Sequence, residues 1–112
     1  MANTFKVKTF TGGSTNANTD MTVYTCPSST QTTVIGLSVA NIVTSQITVD
    51  VKLDKGTGDD VFLIKDAPVP VGSSLVVVGG DQKLVLEATD AVKVQSDTAN
   101  SADTAMSILE IT

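Results

Sequence analysis

Acidic side chains around one glycine-rich turn are the first residues of this sequence with a recognisable chemistry. Asp54, Asp59 and Asp60 flank the segment Lys55–Gly58, and Asp50 precedes them. Carboxylate oxygens near a flexible turn are ligands that calcium prefers. The spacing does not match an EF-hand loop, however, and a hairpin needs the same turn residues for backbone reasons alone. The sequence therefore predicts a plain hairpin. The alternative is a metal site with Asp54, Asp59 and Asp60 as candidate ligands.

No other set of residues predicts catalysis or a cofactor. The chain has no histidine, and its single cysteine, Cys26, cannot form an intrachain disulfide or a multi-thiolate zinc site. Cys26 precedes Pro27 at the end of a predicted strand, where a free cysteine is typically a small buried apolar residue. Glu87, Asp90 and Glu110 would form a catalytic carboxylate pair only if the fold aligned them, and their spacing does not require it. We expect no enzyme activity and no cofactor.

Composition limits the partners of the chain. Its 112 residues fit one small domain, and 7 basic against 12 acidic residues give a net charge of -5. That charge opposes binding to nucleic acid or to an anionic membrane surface. The first residues lack the apolar segment of a secretion signal, and no apolar run is long enough to span a bilayer, so we expect synthesis and assembly in the cytoplasm. An aromatic content of 4% disfavours the stacking platforms of carbohydrate- or base-binding modules.

Alternating apolar residues predict an all-β chain. The clearest pattern is Ile47, Val49, Val51 and Leu53 with polar residues between them. Valine and threonine, which suit a pleated surface, are frequent throughout. We expect a compact antiparallel β-sandwich, immunoglobulin-like or jelly-roll-like, with about eight short strands. Residues 1–20 are predicted to form an N-terminal strand or arm with a flexible loop, and residues 21–112 the sandwich domain. The predicted strands centre on residues 5–10, 21–25, 35–39, 46–53, 61–64, 75–78, 84–86, 92–94 and 106–111.

Finer features of these strands lead to further expectations. The continuous apolar runs at 61–64, 75–78 and 84–86 predict central strands that are packed on both faces. Turn residues predict chain reversals at 68–72 and 79–81. In the first strand we expect Lys6 and Lys8 to face outward, and the small polar segment 12–20 to form an exposed loop or a hinge. A first strand freed in this way could pair with a neighbouring subunit.

Partner contacts are predicted on neutral surfaces and on parts that a compact sandwich can spare. Faces rich in serine and threonine avoid the cost of desolvating charges when they meet another subunit. Terminal arms and hairpin tips are free to make such contacts. We expect them in segments 2–18, 41–46 and 54–60. The candidate contact residues are Phe5, Lys6, Lys8, Ile42, Lys55 and Thr57.

Four short motifs resemble those of small virion structural proteins of tailed marine and cyanobacterial phages. They are Thr22–Pro27 (TVYTCP), Val69–Leu75 (VPVGSSL), Leu84–Asp90 (LVLEATD) and Ser107–Ile111 (SILEI). The motifs are short, and the resemblance extends over nearly the whole chain. One position departs from the pattern, because Thr89 stands where glycine usually precedes the aspartate. Glycine favours a positive φ and a β-branched threonine does not, so we expect a turn of another type there.

The resemblance implies a non-enzymatic β-sandwich that serves as a building block of a phage particle. The first expectation is a head decoration or cement protein that stabilises the capsid by contacts with the major capsid protein or other virion proteins. It is also expected to form a homo-oligomer, a trimer or a ring, in a virion assembled in the host cytoplasm. The alternatives are a tail, neck, baseplate or fibre-attachment protein and, from another class, a carbohydrate- or surface-binding module.

Overall fold

The computed structural model describes residues 2–12, 16–56, 58–79 and 82–112, and these residues form nine strands and no helix. Within the same ranges there is no helix long and apolar enough to cross a membrane. The strands, numbered in chain order, are β1 (Asn3–Phe10), β2 (Met21–Thr25), β3 (Gln31–Asn41), β4 (Ile47–Asp54), β5 (Asp60–Val69), β6 (Ser74–Val78), β7 (Leu84–Leu86), β8 (Ala91–Ser96) and β9 (Ala102–Ile111).

The strands form two antiparallel sheets, which confirms the predicted β-sandwich. The first sheet has the order β1-β9-β3-β6, and β7 pairs with another part of β3. The second sheet has the order β2-β8-β4-β5. Valine, leucine, isoleucine and methionine side chains from both sheets form one buried core. Cys26 belongs to this core, as predicted, and its thiol contacts the Thr30 carbonyl oxygen at 3.3 Å.

Alternation predicted the inward face correctly in β4 and only in part in β3. Ile47, Val49 and Val51 are fully buried. In β3 the alternation of Ile35, Leu37 and Val39 predicts that all three share the inward face, yet Val34 is buried instead and Ile35 is half-exposed. The register against β9 shifts between Val34 and Gly36, so Ile35 is the extra residue of a β-bulge. Because a bulge adds one residue, it reverses the alternation beyond that point.

The strands with continuous apolar runs are not central, contrary to the prediction. β5 forms an edge of the second sheet, and β6 and β7 lie beyond β3 at one side of the first. Their outward side chains remain exposed, with Val76 at 66% and Val85 at 61%. Pro68, predicted to begin a turn, instead lies within β5, where an edge strand tolerates the missing N–H. Of the turn predicted at 79–81, Gly80 and Asp81 lie outside the described residues.

The orientation predicted for β1 is also wrong. β1 pairs with β9 along its length, and Lys6 and Lys8 lie opposite the buried residues Ile108 and Met106. Directly opposed residues point to the same face of a sheet. The two lysines therefore lie on the core side, at the edge of the sandwich, and Phe5 points outward with 74% of its surface exposed.

Candidate interaction surface

The outer face of the first sheet carries rows of uncharged side chains across four strands. Opposed positions in the register define these rows, because paired residues point to the same side. One row is Phe5, Leu109, Thr33 and Val85. A second row is Thr9, Ala105, Ser38 and Val76. Val7 and Ser107 pair between these two rows. We call these residues the neutral face.

The neutral face combines exposed apolar groups with small hydroxyl groups. Phe5, Val7, Val76 and Val85 are large apolar side chains that solvent reaches. Among the described outward-facing strand residues of this sheet, Asp103, at one end of β9, is the one that carries a charge. Its carboxylate accepts a hydrogen bond from the Gly12 N–H at 2.6 Å. A contiguous uncharged surface of this kind is typical of a protein contact site, since no charge has to be desolvated.

The outer face of the second sheet has the opposite character. Lys52 pairs with Asp20 at 2.8 Å, and Lys93 pairs with Asp54 at 2.9 Å. These hydrogen bonds raise the pKa of both lysines. The Lys65 ammonium lies 4.8 Å from the centre of the Phe62 ring. Charges on this face are thus paired with one another, as is usual for a surface in contact with water.

The metal candidates do not assemble into a ligand set. Asp54 and Asp60 face each other across the β4–β5 pair, and their carboxyl groups share a hydrogen bond. The hydrogen bond from Lys93 lowers the pKa of Asp54, while the hydrogen bond with Asp54 raises the pKa of Asp60. Asp59 contributes its backbone carbonyl to the Lys55 N–H. Within the described ranges no three histidine, cysteine or acidic side chains come close enough to hold a metal ion.

The six candidate contact residues lie in different parts of the sandwich. Phe5 belongs to the neutral face, whereas Lys6 and Lys8 lie on the core side of β1. Ile42 is exposed just after β3, beyond the end at which Asn41 pairs with Ala102. Lys55 lies at the opposite end of the molecule, beside a cleft of about 660 Å³ that Ile111 also lines. Thr57 lies outside the described residues.

Sequence reasoning missed a buried polar cluster that links β1 to the core. Glu110, on β9, is 6% exposed. Its carboxylate accepts hydrogen bonds from the Lys6 ammonium at 2.8 Å and from the Tyr24 hydroxyl at 2.5 Å. The hydrogen bond from Lys6 lowers the pKa of Glu110, and burial raises the pKa of Tyr24. Three residues so distant in sequence show no pattern that brings them together.

A second buried carboxylate organises the end of the sandwich near the cleft. Asp90, 2% exposed, accepts hydrogen bonds from the Lys55 ammonium at 2.7 Å and from the N–H groups of Glu87 and Gly56 at 2.9 and 3.3 Å. Burial alone would raise the pKa of Asp90, but these donors together lower it. Lys55 also contacts the exposed Glu87 carboxylate at 2.8 Å.

The turn before Asp90 corrects another prediction. Thr89 adopts a φ of 74°, the left-handed conformation that we expected a threonine to avoid. Its N–H donates to the Cys26 carbonyl at 2.9 Å, and the Asp90 N–H donates to the Glu87 carbonyl at 3.0 Å. These bonds and the buried Asp90 offset the cost of a positive φ at a β-branched residue. The turn thus keeps the conformation that glycine would favour.

Known proteins that were compared with this chain include a weak structural neighbour. No family model matches the chain, and no curated protein matches it. The chain is similar to part of a chain in a structure of the infectious bursal disease virus Gx strain, with a TM-score of 0.43 and 10% sequence identity. The match covers 96% of this chain and 31% of that one, so this chain spans about a third of that chain's length. With so few identical residues, the likeness does not extend to the surface properties of this chain.

Proposed function

We propose that this protein is a non-enzymatic structural component of a tailed-phage virion, and specifically a head decoration protein. Its work is to bury the neutral face against the major capsid protein or another virion protein. The observation behind this proposal is the difference between the two outer faces. The first is uncharged apart from Asp103 at the end of β9 and exposes Phe5, Val7, Val76 and Val85, whereas the second carries paired charges. The short phage-like motifs of the sequence support the same class of protein.

Burial of the neutral face would stabilise an assembled shell through mass action. A protein that binds only the assembled state shifts the equilibrium toward that state and away from free subunits. The exposed valine and phenylalanine side chains supply apolar area, and each fully buried side chain of this size is worth about 1.5–3 kcal/mol before the costs of association. A net charge of -5 also keeps the protein away from the packaged polyanion inside a shell.

Paired substitutions on the two sheets test this proposal. Val76→Lys with Val85→Lys places two charges on the neutral face, and Val61→Lys places one on the edge strand β5, where Val61 is 50% exposed. The double variant should lose at least about tenfold in affinity for particles stripped of this protein, since burying unpaired charge costs more than 1.4 kcal/mol. Val61→Lys should bind as the parent does. Equal binding by all three proteins would refute the assignment of the neutral face.

Location in the particle is tested by immunogold labelling with copy-number mass spectrometry. A decoration protein should label the whole head at hundreds of copies. A few copies at the tail or neck would replace the decoration role with a tail, neck or baseplate role. Absence of label from the particle would refute the virion proposal and favour a surface-binding module.

A further inference from the structure

The first strand contributes little to the core that it borders. Every residue of β1 is at least partly exposed, and Phe10, at its end, is the one that packs against the core cluster. Phe5 and Val7 point to solvent. β1 is therefore held mainly by its backbone pairing with β9 and by the Lys6–Glu110 ion pair. Strands with few buried contacts are the parts of a domain that separate most readily from it.

β9, in contrast, depends on a partner strand with a lysine at one register position. Without β1, the N–H and C=O groups along one side of β9 would lose their pairing. Glu110 would also keep a buried negative charge with the Tyr24 hydroxyl but without its cation. The edge of β9 is thus a specific binding site for a strand that places a lysine opposite Ile108, beside Glu110.

The segment that connects β1 to β2 is long enough for the β1 that pairs with β9 to come from another copy. Ten residues separate the end of β1 at Phe10 from the start of β2 at Met21. Fully extended, ten residues span up to about 33–36 Å. The two shorter dimensions of the molecule are 27 and 23 Å, so a connection of this length can cross to a copy that lies alongside.

We infer that β1 is exchanged between copies of this chain in the assembled state, each β1 pairing with β9 of a neighbouring copy and its Lys6 contacting Glu110 there. The strand pairing that β1 gives up when it leaves its own sheet is restored in the partner, so exchange has a low cost once copies are held close together. The inference rests on the proposed function, since a shell surface is what brings the copies together. Exchange would link neighbouring copies and resist the loss of any one of them.

Cross-strand disulfides distinguish exchange from pairing within one chain. Ala2 and Thr112 exchange both backbone hydrogen bonds, so Thr9 and Ala105, seven register positions further along, form a non-hydrogen-bonded pair. Such pairs have Cα atoms about 4.5 Å apart, within the range that a disulfide spans. In a Cys26→Ala background, one chain carries Thr9→Cys and another carries Ala105→Cys. The two are mixed, refolded together at high concentration and oxidised.

Exchange predicts a covalent heterodimer of twice the 11.5 kDa chain mass. The matched control combines Thr9→Cys with Ile111→Cys, because Ile111 lies six residues along β9, about 20 Å away. This control pair should give at most a minor heterodimer. The inference is overturned if the Thr9→Cys and Ala105→Cys chains give no more heterodimer than the control, while a chain carrying both substitutions closes within itself under the same conditions.

A binding assay separates this inference from the proposed function. For this assay the disulfide joins Asn3→Cys to Ile111→Cys in the Cys26→Ala background, a non-hydrogen-bonded pair next to Ala2 and Thr112 and outside the neutral face. Oxidised as a dilute monomer, this chain has β1 locked in its own sheet. Exchange predicts at least tenfold weaker binding of the locked chain to stripped particles than of its reduced form. Equal binding of the two forms would overturn exchange and leave the decoration role standing. If neither form bound the particles although the heterodimer formed, the decoration role would fail and exchange would stand.

Discussion

Replacement of Asp90 by alanine should be among the most damaging single changes at the end of the sandwich. The substitution removes the acceptor of the Lys55 ammonium and of the Glu87 and Gly56 N–H groups. A hydrogen bond to a charged group is worth about 1.5–3 kcal/mol, and losing one partner of a buried ion pair costs about 3–5 kcal/mol. Lys55 stays partly exposed and retains Glu87, so we expect a loss of about 3 kcal/mol in the free energy of unfolding.

Thermal unfolding followed by circular dichroism measures this loss. For a domain of this size about 3 kcal/mol corresponds to a fall of roughly 12 °C in Tm. Asp90→Asn keeps an oxygen acceptor for the backbone and should lose about half as much. Glu87→Ala removes an exposed partner of the same lysine and should change stability by at most about 0.5 kcal/mol. Equal losses of stability in Asp90→Ala and Glu87→Ala would show that the buried carboxylate of Asp90 contributes no more than the exposed one of Glu87.

The pH dependence of stability has a defined sign at Asp90. Because its pKa in the folded protein is lowered, the group stabilises the fold fully above its ordinary value of 3.8 and loses that contribution as the pH falls through the folded value. The Tm difference between the parent and Asp90→Asn should therefore shrink below pH 3.8. A difference that persists unchanged into acid would contradict the ionised state of Asp90.

Two further predictions concern the left-handed turn and the cluster at β1. Gly56→Ala places a Cβ against Thr89 Oγ1 and should destabilise the fold. Adding Thr89→Gly to Gly56→Ala should recover part of that loss. If the effects of the two substitutions on the free energy of unfolding, measured in urea, were strictly additive, this contact would be contradicted. Glu110→Gln should lower stability by about 1 kcal/mol at pH 7, because Lys6 is partly exposed. Since the pKa of Glu110 is lowered, the difference in Tm from the parent should shrink below its ordinary value of 4.5 and disappear once the pH falls below the folded value. A difference that stays constant into acid would contradict this prediction.

The sequence was sufficient to place every strand but not to orient the strands at the edges. Alternation identifies the inward face only where one set of side chains is clearly polar, as in β4 with Thr48, Asp50 and Lys52. In β1 apolar Phe5 and Val7 alternate with Lys6 and Lys8, and the ordinary rule puts the lysines outside. The edge position reverses that choice, because an inward lysine at an edge still reaches solvent and finds Glu110.

The strands with continuous apolar runs were wrongly predicted to be central for a related physical reason. A run such as Leu75–Val78 indicates that both faces of a strand are apolar, and in a single chain the simplest explanation is burial on both sides. In this molecule one face of β6 packs on the core and the other lies on the neutral face. Sequence alone cannot distinguish burial within the chain from a surface kept apolar for a partner, since both give the same pattern.

The inward-facing lysines of β1 bear on how an exposed strand edge could pair with one specific partner. An open strand edge invites pairing with any other strand, and inward-pointing lysines suppress this because an arbitrary partner offers them no buried counter-charge. β9 offers Lys6 the Glu110 carboxylate at 2.8 Å, at a single register position. A slip of one residue would turn Lys6 to the outer face and leave Glu110 buried without its cation. In the proposed exchange, the charge that protects the edge against nonspecific pairing would therefore also select β1 of an identical copy, in one register, as its partner.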